Sequence, residues 1–428
     1  MEIHTLRFPS ASYRPMPAAN EPQFFVLVTD TASTAARTGI QTLVRGLIAG
    51  LRQLKADFHL VQWRMDKGGL IRLRPSINAD LGKLGEKKFL PLKTLLHPQN
   101  WGLVRQAKAR NYRLPIHLHP AHRDVIDKAW LLIPELIYSD EATQIIDYAR
   151  QWRLRIAGIF HDAIPISHPH LVRPDAVTHH AEYMRALAQA DAVLAVSRES
   201  AHAFVEFARA NGLPDRPVSV CSEPAEISGV TRVAEVQRGG SESINLLCVS
   251  TLEPRKNHIV LIEAFEDFLM RFPNVNAFLH LVGAPYHAAP EIVTYVEDAV
   301  RRNPRILWHG KLSQPDLISK YRDMDFTVYP SFLEGFGLPV VESLWMGKPC
   351  ICANFGAVGE SAEGGGCLMV DVRDRRALSD AIASMATQPG LRQSLAREAT
   401  SRDLKTWRDY AAEIRSALTD RHRTRHTA

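Results

Sequence analysis

Two patterns of apolar residues alternate along this chain, one typical of buried strands and one typical of amphipathic helices. Short runs that are apolar at nearly every position, such as 23–30 and 58–63, predict buried strands. Between them, segments such as 40–54 carry apolar residues every three or four positions and predict amphipathic helices. Nearly continuous apolar strands separated by helices indicate a parallel sheet that is covered on both faces. The pattern therefore predicts an α/β fold.

The alternation occurs twice. The first series has predicted strands at 23–30, 58–63, 129–134, 154–160, 192–197 and 217–222, and the second at 244–250, 277–283, 305–310, 326–331, 349–354 and 367–371. Residues 223–243 between them have no sustained period and contain Gly-Gly-Ser, which is typical of an interdomain linker. We predict two Rossmann-like, doubly wound domains, 1–235 and 236–404, and a helix and tail over 405–428 that pack back toward the first domain.

The composition is that of a globular protein, with 46% hydrophobic and 23% charged residues among 428. No run of about 18 apolar residues predicts a membrane-spanning helix, and residues 1–22 lack the basic-then-apolar plan of a secretory signal. The five cysteines have no metal-ligand spacing, and most lie in apolar, strand-like runs. These features predict a protein of the reducing cytoplasm.

Positive charge is concentrated in one segment that the periodicity leaves largely unassigned. Residues 52–113 contain fourteen Lys or Arg and four Asp or Glu, a net charge of +10, whereas the whole chain carries +6. The simplest interpretation is a solvated, irregular surface. The functional interpretation is a basic face for anionic lipid at the inner side of the cytoplasmic membrane, or for a diphosphate-bearing acceptor. No nucleic-acid-reading motif accompanies the charge, so no nucleic acid is expected.

The most informative loop follows the fourth predicted strand of the second series. Glu334 lies in this loop, and Glu342 lies in the first turns of the helix that Pro339 begins. Gly335 and Gly337 allow backbone amides to approach a ligand closely. Two carboxylates beside a helix N-terminus could hold the vicinal hydroxyls of a ribose and a hexose. A glutamate pair alone is ordinary surface charge, but the strand-glycine-proline-helix context favours a sugar site.

A second loop of the same predicted sheet carries two adjacent cations. Arg255 and Lys256 follow the strand 244–250, and the next helix is predicted to begin near Asn257, a good N-cap residue. Two cations beside a helix N-terminus could bind a diphosphate and stabilise charge on a leaving nucleotide. An isolated Arg-Lys pair is usually solvated. The occurrence of both loops at one sheet edge favours the functional interpretation.

The segments STLEPRKN (250–257) and FLEGFGLPVVE (332–342) together resemble retaining glycosyltransferases of family 4, whose two-domain architecture is called GT-B. The resemblance covers most of the chain and is weakest across 64–128. It implies an acceptor-side N-terminal domain and a donor-side C-terminal domain that face each other across a cleft. It also implies donor-binding roles for these residues: Glu342 on the ribose, Arg255 and Lys256 on the diphosphate, and Glu334 with the amides around Gly335, Phe336, Gly337 and Leu338 on the hydroxyls of the transferred sugar.

Two N-terminal positions fit the same resemblance. Gly39, between the first strand and helix, resembles the family's glycine loop facing the diphosphate, where a side chain would obstruct close approach. His161, in IFHDAIP (159–165), resembles the family's active-site histidine near the donor sugar. Taken alone, Gly39 would more simply be a turn glycine. His161 alone would more simply be a capping or core histidine. Asp162 ranks lower, as a residue that could orient His161 or cap the next turn.

Motifs of other enzyme classes are absent or misplaced. Asp323-Met324-Asp325 spells the D-x-D of metal-dependent transferases, but it precedes a strand and so lies at the wrong end of the sheet. Neither G-x-G-x-x-G after a strand nor a P-loop is present. A phosphorylase would need a pyridoxal-phosphate lysine, and no convincing candidate occurs. We expect no metal and no cofactor besides the nucleotide sugar.

The resemblance implies transfer of a hexose from a nucleotide diphosphate sugar to a hydroxyl with retained configuration. The pattern is most similar to bacterial mannosyltransferases of surface polysaccharide assembly, which implies GDP-mannose as donor and a glycan or lipid-linked oligosaccharide as acceptor. UDP-glucose and UDP-galactose stay open as donors. A sugar-nucleotide epimerase and a non-catalytic nucleotide-sugar-binding protein stay open as other functions.

Overall fold

The computed structural model describes residues 22–33, 38–64, 69–73, 114–115, 129–137, 139–235, 243–286 and 288–424. The N-terminal leader and most of the basic segment 52–113 lie outside the described residues, and so do the roles predicted for them.

The first domain contains one sheet with the strand order β4-β3-β2-β1-β5-β6-β7-β8. Its strands are β1 (Phe24–Leu27), β2 (Phe58–Arg64), β3 (Gly69–Arg72), β4 (Leu114–Pro115), β5 (Trp130–Ile133), β6 (Arg155–Phe160), β7 (Ala192–Ala195) and β8 (Val218–Val220). Its helices are α1 (Gly39–Gln53), α2 (Ser139–Gln151), α3 (Ile164–Ser167), α4 (Pro174–Leu187) and α5 (Arg198–Ala210). The strand β3 pairs antiparallel with β2 and β4, and the other pairings are parallel.

The second domain contains a parallel sheet with the order β11-β10-β9-β12-β13-β14. Its strands are β9 (Ile244–Val249), β10 (Ala277–Val282), β11 (Ile306–Trp308), β12 (Phe326–Tyr329), β13 (Cys350–Ala353) and β14 (Cys367–Val370). Its helices are α6 (His258–Arg271), α7 (Pro290–Arg302), α8 (Gln314–Asp323), α9 (Leu338–Trp345), α10 (Gly356–Ala362), α11 (Arg375–Thr387) and α12 (Pro389–Ser401), and α13 (Trp407–Thr424) follows. The predicted α/β class with two Rossmann-like sheets is confirmed.

Apolar strands explain why each sheet is covered on both faces. All four residues of β1 are buried, as are all four of β5, β7, β12 and β13. Such strands form their backbone hydrogen bonds with neighbouring strands and bury side chains on both faces of the sheet. Helices must therefore cover both faces. Among the described helices, none has the length and apolar character needed to cross a bilayer.

The last helix, α13, packs on the first domain. A Cβ on Gly46 of α1 would lie 2.2 Å from the indole ring of Trp407, and a Cβ on Gly50 would lie 2.1 Å from the Trp407 carbonyl oxygen. Trp407 and Tyr410 are 2% and 0% exposed. Two glycines one turn apart on α1 therefore allow α13 to approach its backbone.

The chain crosses between the domains twice, and the two crossings bind each other. Ala225 N donates to Lys405 O (3.0 Å), and Trp407 donates through its indole nitrogen to Glu226 O (2.9 Å). The sequence predicts a linker over 223–243, and residues 223–235 have no helix or strand. Their first residues are nevertheless buried, with Glu223 at 8% exposure. This first part of the linker is therefore buried and hydrogen-bonded to the second crossing, unlike a flexible linker.

A third contact joins the domains at the start of α5. The Glu360 carboxylate of α10 accepts hydrogen bonds from Arg198 N (2.8 Å) and Glu199 N (2.7 Å). The Arg198 guanidinium also donates to Glu363 (2.5 Å). A carboxylate at a helix N-terminus satisfies amides that have no partner in the helix and favours the positive end of its dipole. The second domain thus caps a helix of the first.

The prediction that a helix begins near Asn257 is confirmed, but the capping role expected of its side chain is wrong. Asn257 occupies the N-cap position of α6, but its backbone is left-handed (φ 61°) and its side chain does not cap the helix. Its amide nitrogen donates instead to Val372 O (2.8 Å). The Asn257 side chain therefore ties the turn that carries Arg255 and Lys256 to the end of β14.

Candidate active site

The carboxyl ends of the two sheets face each other, and loops from both domains meet there. His161 follows β6, and Ser200 Oγ lies 2.7 Å from the His161 carbonyl oxygen and 3.1 Å from that of Gly335. A Cβ on Gly335 would lie 2.3 Å from His161 O. A Cβ on Gly39, at the start of α1, would lie 4.0 Å from Leu338 at the start of α9. The predicted site residues of both domains therefore come together.

Glu334 is the centre of a buried charge cluster. Its carboxylate accepts hydrogen bonds from Arg255 Nη1 (2.6 Å) and from the Lys256 ammonium. The hydroxyls of Tyr329 and Ser331 also donate to it, each at 2.6 Å. The side chains of Glu334, Arg255 and Lys256 are only 10%, 20% and 11% exposed. Three residues that the sequence places in two separate loops thus form one charged unit.

The cluster sets the protonation of its members. Burial alone would raise the pKa of Glu334, but the Lys256 and Arg255 cations outweigh it and lower the pKa to about 2. Burial lowers the pKa of Lys256, and Glu334 partly offsets this effect. Arg255 also pairs with Glu253 (2.9 Å) on its more exposed side. Glu334 is therefore ionised at neutral pH, and its carboxylate contacts the Arg255 guanidinium and the Lys256 amine group.

Backbone amides line the loop beyond this cluster. None of the four amides from Gly335 to Leu338 has a hydrogen-bond acceptor among the residues that the structure describes. Gly337 has a left-handed backbone (φ 109°), and a Cβ there would lie 3.1 Å from Ser361 Oγ. Phe336 is buried, and its ring anchors the loop. The turn therefore presents amide donors at the N-terminus of α9, where the helix dipole favours acceptor groups.

Glu342 lies one turn inside α9 and differs from Glu334 in its surroundings. The Tyr321 hydroxyl donates to its carboxylate over a long distance, 3.4 Å. Burial raises the pKa of Glu342 to about 7, because none of the described cations compensates for the loss of water. The two glutamates of the same motif therefore have opposite character, one paired and acidic, the other weakly bound and titrating near neutrality.

His161 is held in one tautomer. Its Nε2 lies 2.9 Å from the carbonyl oxygen of Pro134, which can only accept, so Nε2 carries the proton. Burial lowers the pKa of His161, and the ring is neutral near pH 7. The unprotonated Nδ1 then points toward Glu223, whose Oε1 is 3.9 Å away. Asp162, the lower-ranked candidate, accepts from Ile164 N (2.9 Å) and so caps the following short helix.

Two buried glutamates of the site are not among the residues that the sequence motifs predict. Glu223 follows β8, and burial first, then the nearby carboxylates of Glu334, Glu342 and Asp162, raise its pKa to about 8. Glu135 follows β5 and accepts from Thr31 N (2.6 Å) and Asp30 N (3.0 Å), which fixes the loop after β1. Burial raises the pKa of Glu135 to about 7. Both residues follow strands at the ligand edge of the sheet, and that position is the signal that could have revealed them.

A cavity of about 390 Å³ opens beside His161 on the side of the first domain. Its wall is apolar at Ile40, Leu136 and Pro165 and polar at Asp162, Arg173, Asp175, His179 and His180. The cavity lies close to the loop after β12, because His161 lines the cavity and its carbonyl oxygen lies beside Gly335. Its volume and its mixed lining suit a small ligand with polar groups.

Comparison with known proteins finds a family model that matches the second domain. Residues 235–402 match the family model of glycosyl transferases group 1. D-inositol 3-phosphate glycosyltransferase of Corynebacterium glutamicum is 29% identical over 176 residues, 40% of this chain and 42% of that protein. O-antigen chain mannosyltransferase B of Escherichia coli is 32% identical over 164 residues, 35% of this chain and 40% of that protein. The matched region spans about two fifths of each relative.

A solved structure extends the likeness to both domains. The Anabaena HepE protein, crystallised with UDP and glucose, superposes with a TM-score of 0.55 at 14% sequence identity, and the match covers 95% of this chain and 99% of that one. At this identity the likeness concerns the fold. The GT-B architecture predicted from the sequence is confirmed.

Proposed function

We propose that this protein is a retaining glycosyltransferase that moves a hexose from a nucleotide diphosphate sugar to a hydroxyl group. The observation that carries the proposal is the buried cluster of Arg255, Lys256 and Glu334 at the ligand edge of the second sheet. The next residue, Gly335, lies against the His161 carbonyl oxygen of the first domain. The match of residues 235–402 to glycosyl transferases group 1 supports it independently.

In the proposed reaction, Arg255 and Lys256 bind the diphosphate and stabilise the negative charge that develops on the leaving nucleotide. Glu334 and the amides from Gly335 to Leu338 hold hydroxyls of the transferred sugar, and Glu342 holds the ribose. The acceptor hydroxyl attacks the face that the diphosphate leaves and gives its proton to the departing phosphate oxygen. Since two cations already supply positive charge to the phosphates, we propose that no metal is needed.

Mannose from GDP-mannose is the proposed donor, in line with the mannosyltransferase relative from Escherichia coli. A UDP-sugar is the second candidate, because the HepE protein of the same fold was crystallised with UDP and glucose. For the acceptor we propose a glycan, free or linked to lipid, whose reactive end occupies the cavity beside His161. The basic segment 52–113 is proposed to contact anionic lipid at the cytoplasmic face of the membrane.

A nucleotide panel tests the proposal. The melting temperature of the protein is measured with GDP, UDP, ADP, dTDP and their sugars, because a ligand that binds the folded state raises it by mass action. We expect a rise confined to GDP and GDP-mannose. EDTA should leave both the rise and any donor hydrolysis unchanged.

A matched pair of variants assigns the rise to the site. Glu342→Gln should reduce the rise, whereas Glu291→Gln, on the exposed surface of α7, should keep it. A rise confined to UDP and its sugars would retain the glycosyltransferase and discard mannose. No rise with any nucleotide would contradict the proposed function, and loss of activity with EDTA would contradict the metal-free mechanism.

Gly39→Ala should weaken donor binding about tenfold or more without destabilising the protein. In the structure the new Cβ meets nothing closer than a leucine methyl at 4.0 Å, so folding has no steric reason to suffer. It would, however, occupy space through which a diphosphate approaches the backbone. Calorimetric titration and thermal melting separate the two effects, with Gly390→Ala as a control because its Cβ would meet no atom within 4 Å. Unchanged donor affinity would remove Gly39 from the site.

A further inference from the structure

Glu223 is an unusual carboxyl because it is buried among acids. It lies on the first interdomain crossing and is only 8% exposed. The carboxylates that raise its pKa come from three elements: Glu334 from the loop after β12, Glu342 from α9 and Asp162 from the loop after β6. The cations Arg255 and Lys256 are engaged by Glu334 instead. Among the described residues Glu223 therefore has no cationic partner, because the basic side chain it contacts, His161, has a neutral ring.

The contact with His161 favours the neutral form of the Glu223 carboxyl over the ionised form. Because Nε2 donates to Pro134 O, the Nδ1 atom presents a lone pair toward Glu223 Oε1 at 3.9 Å. An ionised carboxylate would place a second acceptor opposite that lone pair, whereas a neutral carboxyl can offer its O–H. The distance of 3.9 Å is too long for a direct hydrogen bond. At this separation, a third polar atom can form a hydrogen bond with each of the two groups.

We propose that Glu223 is a substrate-binding residue, and that one hydroxyl of the bound sugar donates to His161 Nδ1 and accepts from the neutral Glu223 carboxyl. The inference rests on the proposed function and adds a residue that nothing in the sequence motifs indicates. A sugar hydroxyl both donates and accepts, which matches the two faces of this pair. A site built to bind a hydroxyl in this way discriminates strongly against sugars that lack it.

The proposal predicts a loss of activity at alkaline pH. Burial and the acids Glu334, Glu342 and Asp162 raise the pKa of Glu223 to about 8, so its carboxyl is neutral below that pH and ionises above it. The other ionisable groups near the crossing are Tyr410 of α13, which Glu223 affects electrostatically, Glu226, and Lys405, which donates to Ser222 O (3.0 Å) and pairs with Glu413. Lys256 can give an alkaline limb of its own, since burial lowers its pKa.

The test is the pH dependence of kcat/KM between pH 5.5 and 10, measured with the donor that stabilises the wild-type protein. We expect kcat/KM of the wild type to fall tenfold per pH unit above about pH 8, as the free enzyme loses its neutral carboxyl. Glu223→Gln keeps a neutral donor and should retain activity within about tenfold at pH 7, with the alkaline limb moved upward by at least one pH unit. Glu223→Ala should lose activity about 100-fold at pH 7.

Glu226→Gln is the matched control, because Glu226 lies on the same crossing but binds Trp407 N (2.8 Å) outside the site. Its alkaline limb should coincide with that of the wild type. An unshifted limb in Glu223→Gln would overturn the inference and assign the limb to Lys256, as would full activity of Glu223→Ala. If the alanine variant does not fold, the glutamine profile alone decides. A wild type inactive with every donor would contradict the proposed function, and this inference with it.

Discussion

Glu334→Gln is expected to lower the free energy of unfolding by about 3–5 kcal/mol and to abolish glycosyl transfer, because breaking a buried ion pair leaves an uncompensated charge. The carboxylate of Glu334 binds both Arg255 and Lys256, and its side chain is 10% exposed. Arg255 keeps Glu253 as a partner, so most of the cost falls on Lys256, whose side chain is only 11% exposed. Chemical denaturation at pH 7 measures the loss.

A nucleoside diphosphate should restore part of this stability, because its phosphates bring negative charge to the two cations. Glu253→Gln is the matched control: it removes the more exposed partner of the same arginine, at 22% exposure. Pairs nearer the surface are worth about 1 kcal/mol or less, so its loss should be small. Equal destabilisation by the two variants would contradict Glu334 as the counter-charge of the cluster.

Gly335→Ala is expected to reduce kcat about 100-fold while the protein stays folded and binds its nucleotide. The added Cβ would lie 2.3 Å from the His161 carbonyl oxygen, which belongs to the other domain. Side chains essentially never approach this closely, so the loop and the histidine segment must move apart. A displacement of about 1 Å between reacting groups can cost about 100-fold in rate.

Turnover and calorimetric nucleotide affinity together test the Gly335 prediction, because the charge cluster of Arg255, Lys256 and Glu334 lies wholly within the second domain. Gly390→Ala serves as the control on α12, where a Cβ has no neighbour within 4 Å. Wild-type kcat in Gly335→Ala would show that the two domains need not touch at this point during the reaction.

The sequence predicts the fold well because its strands are buried on both faces, and a run such as Phe24–Leu27 has few other ways to fold. It predicts the edge where the loops meet for a related reason, since parallel strands place all their carboxyl ends together. The coupling of Arg255 and Lys256 to Glu334 depends on a contact 78 residues apart, and the pattern does not contain it.

Residues whose role depends on the tertiary structure are the ones that the sequence does not reveal. Glu223 belongs to a stretch without periodicity, and only the fold shows that its carboxyl faces His161. Glu360 caps a helix of the other domain from 162 residues away. Asn257 is a residue type typical of an N-cap, yet its own backbone is left-handed and its side chain donates to Val372 O instead of capping α6.

The position of α13 has a consequence for building hybrid enzymes. Since the first described strand and the last helix belong to the same domain, the second domain is an insertion in the first, bounded by the crossings near 235 and 401–406. A chimera with a new second domain therefore needs two splice points and must keep 407–424 with its original partner. A single splice would bring a foreign helix to Gly46 and Gly50, where the fit to Trp407 leaves no spare room.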